Sequence, residues 1–100
     1  MDCIESYAFK GCDKLKKIYV PDGVLFIEER AFLYCDSLEE VSLGGRLNGL
    51  DPFIFSGCDN LQELIYRSTK EEWRSIAKDE NWVEDSSIQK IICTDGEITL

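Results

Sequence analysis

Histidine is missing from this 100-residue chain, methionine occurs once and proline twice. Without histidine there is no Cys–His or Ser–His pair for nucleophilic catalysis, and a frequent zinc ligand is gone. Cysteine occurs five times, at Cys3, Cys12, Cys35, Cys58 and Cys93. These positions contain no C-x-x-C pair, which a zinc site normally supplies, so no metal or cofactor is expected. The odd count and the repeat-like gaps also speak against a disulfide framework. No apolar run approaches the ~20 residues that span a bilayer, which argues against membrane insertion. The start, Met1-Asp2-Cys3-Ile4-Glu5, lacks the basic and apolar regions of a signal peptide. The chain as it stands therefore reads as soluble, with a longer secreted precursor left open.

Positive charge is also scarce. There are 11 Lys and Arg against 20 Asp and Glu, a net charge of −9. Residues 1–50 carry 6 basic and 9 acidic side chains and residues 51–100 carry 5 and 11. Both halves repel phosphates, so a nucleic-acid partner and an anionic membrane surface are disfavoured. With 44% apolar and 31% charged residues, the composition is that of one folded domain with a modest core.

What the sequence does have is a repeat. Written in rows of 23 from Ile4, Ile27 and Leu50, it aligns Phe9/Phe32/Phe55, Cys12/Cys35/Cys58, Asp13/Asp36/Asp59 and Leu15/Leu38/Leu61. Apolar character is kept at Ile4/Ile27/Leu50, Ile18/Val41/Leu64 and Val20/Leu43/Tyr66. So many matched columns at one period indicate stacked supersecondary units, none able to bury its apolar face alone. Within a row, Ile4, Ala8 and Cys12 are spaced by four, which predicts a short helical turn with one inward face. Leu15–Val20, Leu38–Leu43 and Leu61–Tyr66 end in alternation and predict short half-buried strands, parallel and in register. Pro21-Asp22-Gly23 and Gly44-Gly45 supply turn chemistry after the first two strands.

The string A-F-x-x-C-D-x-L, at Ala8–Leu15 and Ala31–Leu38, resembles the BspA-like leucine-rich repeat family, whose repeat is also 23 residues long. The third row carries Ile54 in place of the alanine, and the family's proline after the strand is present only as Pro21, with Gly44 and Arg67 at the matching positions. Tyr66–Trp73 and Ile92–Ile98 resemble the family's closing segment, with Ser68 where it usually has glycine. The resemblance implies an α/β solenoid with short parallel strands on a concave face, helical turns on a convex face, and a C-terminal helix plus β-hairpin cap. It further implies a non-catalytic, adhesin-like protein-binding role at a bacterial cell surface or in secretion. The alternative is a purely structural C-terminal end of a longer surface solenoid with no ligand of its own.

The expected organisation is a single domain of coils at about 4–26, 27–49 and 50–68, with a cap over 69–100. Row four breaks down: Trp73 falls in the Ile4 column but Lys78 falls where phenylalanine belongs. Thr69-Lys70-Glu71-Glu72 has the form of a capping box, and Trp73, Ile76 and Ala77 share a face, so residues 70–78 read as a short amphipathic helix. Asn81–Ser87 reads as a polar loop around Trp82, and Asp95-Gly96 as the turn of a hairpin. The N-terminal end has no such cover. Phe9, Leu15, Ile18 and Val20 would face solvent there, and a bare end invites self-association.

Several residues admit a chemical role and a plainer one. The cysteine column reads as small buried core residues, inert because dry. The aspartate column follows the turn and precedes the strand, where Asp side chains bond backbone N–H groups. The acidic stretch from Asp79 to Asp85 lacks the order of a calcium loop. Glu39-Glu40 and Glu71-Glu72 lie where surface charge is expected, not a cleft with separated pKa values. Burying alternate strand residues turns Lys17, Tyr19, Glu40, Ser42, Glu63 and Ile65 outward on the concave face. Those six are the candidate site for a protein ligand, with Tyr19 and Ile65 as anchors. Glu40 beside Glu63 is a like-charge pair that costs stability and so hints at a basic partner.

Overall fold

The computed structural model describes residues 2–100. Each row folds into one coil with two short strands. In chain order these are β1 (Cys3–Ile4), β2 (Lys17–Tyr19), β3 (Phe26–Ile27), β4 (Glu40–Leu43), β5 (Gly49–Leu50) and β6 (Glu63–Tyr66). A helix α1 (Lys70–Ser75) follows, then β7 (Ala77–Lys78), β8 (Lys90–Cys93) and β9 (Gly96–Thr99). The strands sort into a four-stranded sheet, β1-β3-β5-β7, and a five-stranded sheet, β2-β4-β6-β8-β9. All pairs are parallel except β8–β9. The molecule is thus a β-solenoid of about four turns.

The 23-residue period sets the register directly. Lys17 pairs with Glu40, Ile18 with Val41, and Val41 with Leu64. Between the sheets lies one core, in which Ile27, Phe32, Cys35, Leu38, Val41, Phe55, Cys58, Leu61 and Leu64 are fully enclosed. The phenylalanine column is a stack: Phe9 and Phe32 lie 5.2 Å apart at 3°, Phe32 and Phe55 5.4 Å apart at 8°.

The turn segments are not helical, which corrects the expectation from spacing. Spacing by four did place Ala31 and Cys35 inward. The backbone, however, takes positive φ twice in each of the first three coils, at Tyr7/Arg30/Phe53 and at Gly11/Tyr34/Gly57. A left-handed residue costs roughly 1–2 kcal/mol and ends a right-handed helix. The hydrogen bonds show what offsets that cost. Ala8, Lys10 and Cys12 donate three residues back within their own coil. Tyr7, Phe9 and Gly11 instead donate to the carbonyls of Glu29, Ala31 and Leu33 in the next coil. Arg30, Phe32 and Tyr34 repeat this onto Pro52, Ile54 and Ser56. An α-helix would spend every N–H internally; this turn spends half of them joining coils, forming a third intercoil ladder.

Residues 69–100 are also not a separate cap. They are a fourth coil with an insertion. Leu50 pairs with Lys78 and Glu63 with Lys90, offsets of 28 and 27 instead of 23. Helix α1 is the inserted piece, started by the Thr69 hydroxyl accepting from Glu72 N–H at 3.2 Å. It stops at Ser75, short of the expected 78, because Ile76 is extended and Ala77 enters the first sheet. Lys78, not Trp73, continues the Ile4 column. Its ammonium donates to the Trp73 and Ile76 carbonyls at 2.8 and 3.1 Å, the former also accepting the Ile76 N–H, and burial lowers its pKa. Asn81–Ser87 is the turn segment of this coil. Trp82 is buried there and meets Trp73 edge-on at 5.5 Å. The hairpin loop is Thr94-Asp95, since Cys93 pairs with Gly96, one residue earlier than the Asp-Gly signal suggested.

Candidate binding surface

The second sheet turns one side to the core and the other to solvent. Val20, Val41, Leu43, Leu64, Tyr66 and Ile91 are buried, with Ile18 partly so. All six expected surface residues lie on the outer side. Lys17, Tyr19, Glu40 and Glu63 are exposed, while Ser42 and Ile65 are half-buried. In-register pairing gathers them into two rows, which the fourth coil lengthens by one residue each. One row is Lys17, Glu40, Glu63, Lys90; the other is Tyr19, Ser42, Ile65, Ile92.

Lys90 changes the electrostatics expected from sequence. Its ammonium lies 3.8 Å from Glu63 and 3.2 Å from Glu97. Each of the two adjacent glutamates therefore has a lysine as its other neighbour, and the like-charge pair does not call for an outside cation. The offset of 27 hides Lys90 and Ile92 from a strict 23-residue reading, although Lys90-Ile91 repeats the polar-apolar order of Lys17-Ile18.

Sequence reasoning also missed Arg67, which stands in the Pro21 column. Its guanidinium carbon lies 3.9 Å from the centre of the Tyr19 ring. The same group donates to the Val20 carbonyl, to Ser42 Oγ at 2.7 Å and to Asp22 Oδ1 at 3.1 Å. One side chain of the third coil thereby clasps the first two. Tyr19 remains 65% exposed, yet its ring is held by a planar cation. An anchor held in place loses less side-chain entropy on binding.

Other candidates resolve on local geometry. All five cysteines are unpaired thiols. Cys35 and Cys58 are buried and donate to the carbonyls of Phe9 and Phe32 one coil earlier, both at 3.1 Å. The column thus wants a small side chain with a donor, and cysteine is both. Burial pushes the Cys58 thiol up to about 12, far from a reactive thiolate. Cys12, in the end coil, is only half-buried. The aspartate column does not cap its turns. Asp13, Asp36 and Asp59 are exposed, and among the described residues their carboxylates accept no hydrogen bond; Asn60 donates instead to the Asp36 backbone carbonyl at 2.7 Å. Two exposed rings have a structural explanation: Phe26 lies over Gly49 and Tyr34 over Gly57 in the following coil, each ring covering a bare stretch of backbone.

The comparisons with known proteins agree with this architecture. The profile described as BspA type leucine-rich repeat region matches residues 1–97 in six copies. A leucine-rich cell surface protein from Faecalibacterium prausnitzii is similar in structure, with a TM-score of 0.72 and 29% sequence identity. The match covers 78% of this chain and 21% of that one, so this chain spans about a fifth of the length of that protein. No curated protein matches the chain.

Proposed function

The chain belongs to the BspA-type leucine-rich repeat family, and on that premise we propose that it is a non-catalytic protein-binding module of a cell-surface protein, which binds through the outer face of the five-stranded sheet. The observation that carries this reading is the pair of in-register rows on a rigid sheet, with Tyr19 65% exposed and clasped by Arg67. An aromatic anchor among mixed charges is the composition of a protein-binding surface. The similar protein's description as a leucine-rich cell surface protein supports the location.

The experiment is capture of surface and matrix proteins on the immobilised chain, followed by affinity measurement with Tyr19→Ala combined with Ile65→Ala. Loss of tenfold or more places binding on this face. Unchanged affinity removes it from there. Charge reversal at Glu40 and Glu63 should mainly slow association and change its salt dependence. One observation favours a second reading: the chain matches only 21% of its solved relative, as a purely structural segment of a longer solenoid would. Under that reading the chain captures nothing that a longer parent captures.

A further inference from the structure

We infer that the partner of the outer sheet face is an amphipathic α-helix laid across the strands, with an acidic–basic–basic–acidic stripe beside an apolar one. This rests on the reading that the outer face of the five-stranded sheet binds protein. A segment crossing β2, β4, β6 and β8 meets their side chains in the order that register fixes. Along one row that order is Lys17, Glu40, Glu63, Lys90, positive at both ends and negative between. Along the other it is Tyr19, Ser42, Ile65, Ile92. Lys17 and Glu40 make no ion pair among the described residues, so both are available to a partner.

The spacing of these rows decides which kind of segment fits. Neighbouring strands lie about 4.8 Å apart, so each row repeats at that step. A helix returns a side chain to one face every turn, about 5.4 Å. An extended segment does so every second residue, about 6.7 Å. Across β2, β4, β6 and β8 a helix drifts out of step by roughly 2 Å, and an extended segment by roughly 6 Å, more than one strand spacing. The helix keeps one side chain opposite each strand, and the extended segment does not. The distance between the rows agrees. Alternate strand residues lie about 6.6 Å apart. Two helix stripes one residue apart are about 100° around the axis, which at a radius of about 5 Å separates them by roughly 7–8 Å. A Glu-Lys-Lys-Glu stripe then meets opposite charge at every step, while the neighbouring stripe packs on Tyr19, Ile65 and Ile92. The chain's own helix α1, six residues and about 9 Å long, is too short to cross these strands, so a second copy does not supply the partner.

The test is an NMR titration of the intact, methyl-labelled chain with blocked peptides that differ only in charge order. The first is acetyl-Glu-Leu-Ala-Ala-Lys-Leu-Ala-Lys-Leu-Ala-Ala-Glu-Leu-amide, stapled as a helix across its alanine face. The second exchanges every glutamate with lysine and every lysine with glutamate, which leaves the composition unchanged. The first should shift the methyls of Ile65 and Ile92, and the second should bind at least about fivefold more weakly. Glu40→Lys with Glu63→Lys should reverse that preference, an outcome that misfolding does not produce. The first sequence, unstapled and with proline in place of its central alanine, should also bind at least about fivefold more weakly. Equal affinity for the two charge orders, equal affinity for the proline peptide, or no saturable shift from either helix overturns the inference. Dependence of a captured protein on Tyr19 and Ile65 is a separate measurement. If it holds while the helices fail, the face keeps its role and only the helical partner is lost.

Discussion

At the scale of single residues, the core is organised by columns of identical side chains, and each column has its own reason. Phenylalanine gives flat rings that stack at the coil spacing. Phe32 is fully enclosed with a ring on either side, so Phe32→Ala leaves a cavity that neither neighbour can leave its own stack to fill. The expected loss is about 3–5 kcal/mol in denaturant melts, and a loss below ~1 kcal/mol would mean the column is not core. Phe9→Ala, at the half-open end, should cost less. The cysteine column combines small volume with a weak donor. Cys58 ionises near 9.0 when unfolded, its ordinary value, but at about 12 in the native protein. Between these values the unfolded chain loses the proton and the native chain keeps it. Its contribution is therefore intact below about pH 9 and is lost as pH rises towards 12. Urea midpoints at pH 8 and pH 10.5 should fall less in Cys58→Ala than in the native sequence. Equal falls would assign the alkaline loss to other groups.

At the scale of elements, the strands were legible in the sequence and the turns were not. Alternation over Leu15–Val20 and its two repeats gives the inward and outward sides of β2, β4 and β6, because a period of two has only one structural meaning. A spacing of four at Ile4, Ala8 and Cys12 has more than one. It fits a helix, and it equally fits a turn whose alternate N–H groups leave for the next coil. The signal that separates them is local and easily passed over: Gly11 and Gly57 stand in one column with Tyr34 between them, and all three have positive φ. Gly57 shows how much depends on it. Its φ is +79, and a Cβ there would come within 2.4 Å of Tyr34 Cδ1. Gly57→Ala should destabilise by about 1–2 kcal/mol from the backbone conformation alone, and by more while Tyr34 is present. Pairing it with Tyr34→Ala should recover the steric part and leave the backbone part. Full recovery in the double variant, read from melts, would show that φ carries no penalty. The surface rows were half legible for a related reason: a strict period shows Lys17 and Glu40 but loses Lys90 once α1 lengthens the coil.

At the scale of all four coils, the first and the fourth are held unequally, and this should govern how these 100 residues open. A coil is held by its neighbours, so stability is close to a sum of coil and interface terms. The second and third coils have a neighbour on each side. The fourth has one, but β9 pairs along β8, and Trp73 meets both Tyr66 and Trp82 edge-on. The first has one neighbour and nothing across β1 and β2 among the described residues, and its Phe9, Cys12, Leu15 and Ile18 are only partly covered where their counterparts one coil on are fully enclosed. Arg67 partly offsets this by tying Tyr19, Val20 and Asp22 to the third coil. Local opening should therefore start at the first coil, on the turn side that Arg67 does not reach. The measurement is amide hydrogen exchange. Tyr7, Phe9 and Gly11, which donate forward from the first coil, should exchange faster than Arg30, Phe32 and Tyr34, which make the same bonds from the second. Arg67→Ala should widen the gap by extending the early exchange to Val20, whose N–H bonds the Ser42 carbonyl. Equal protection of the two coils, at the rate of global unfolding, would instead mean that the four coils open only together and that the first coil carries no local weakness.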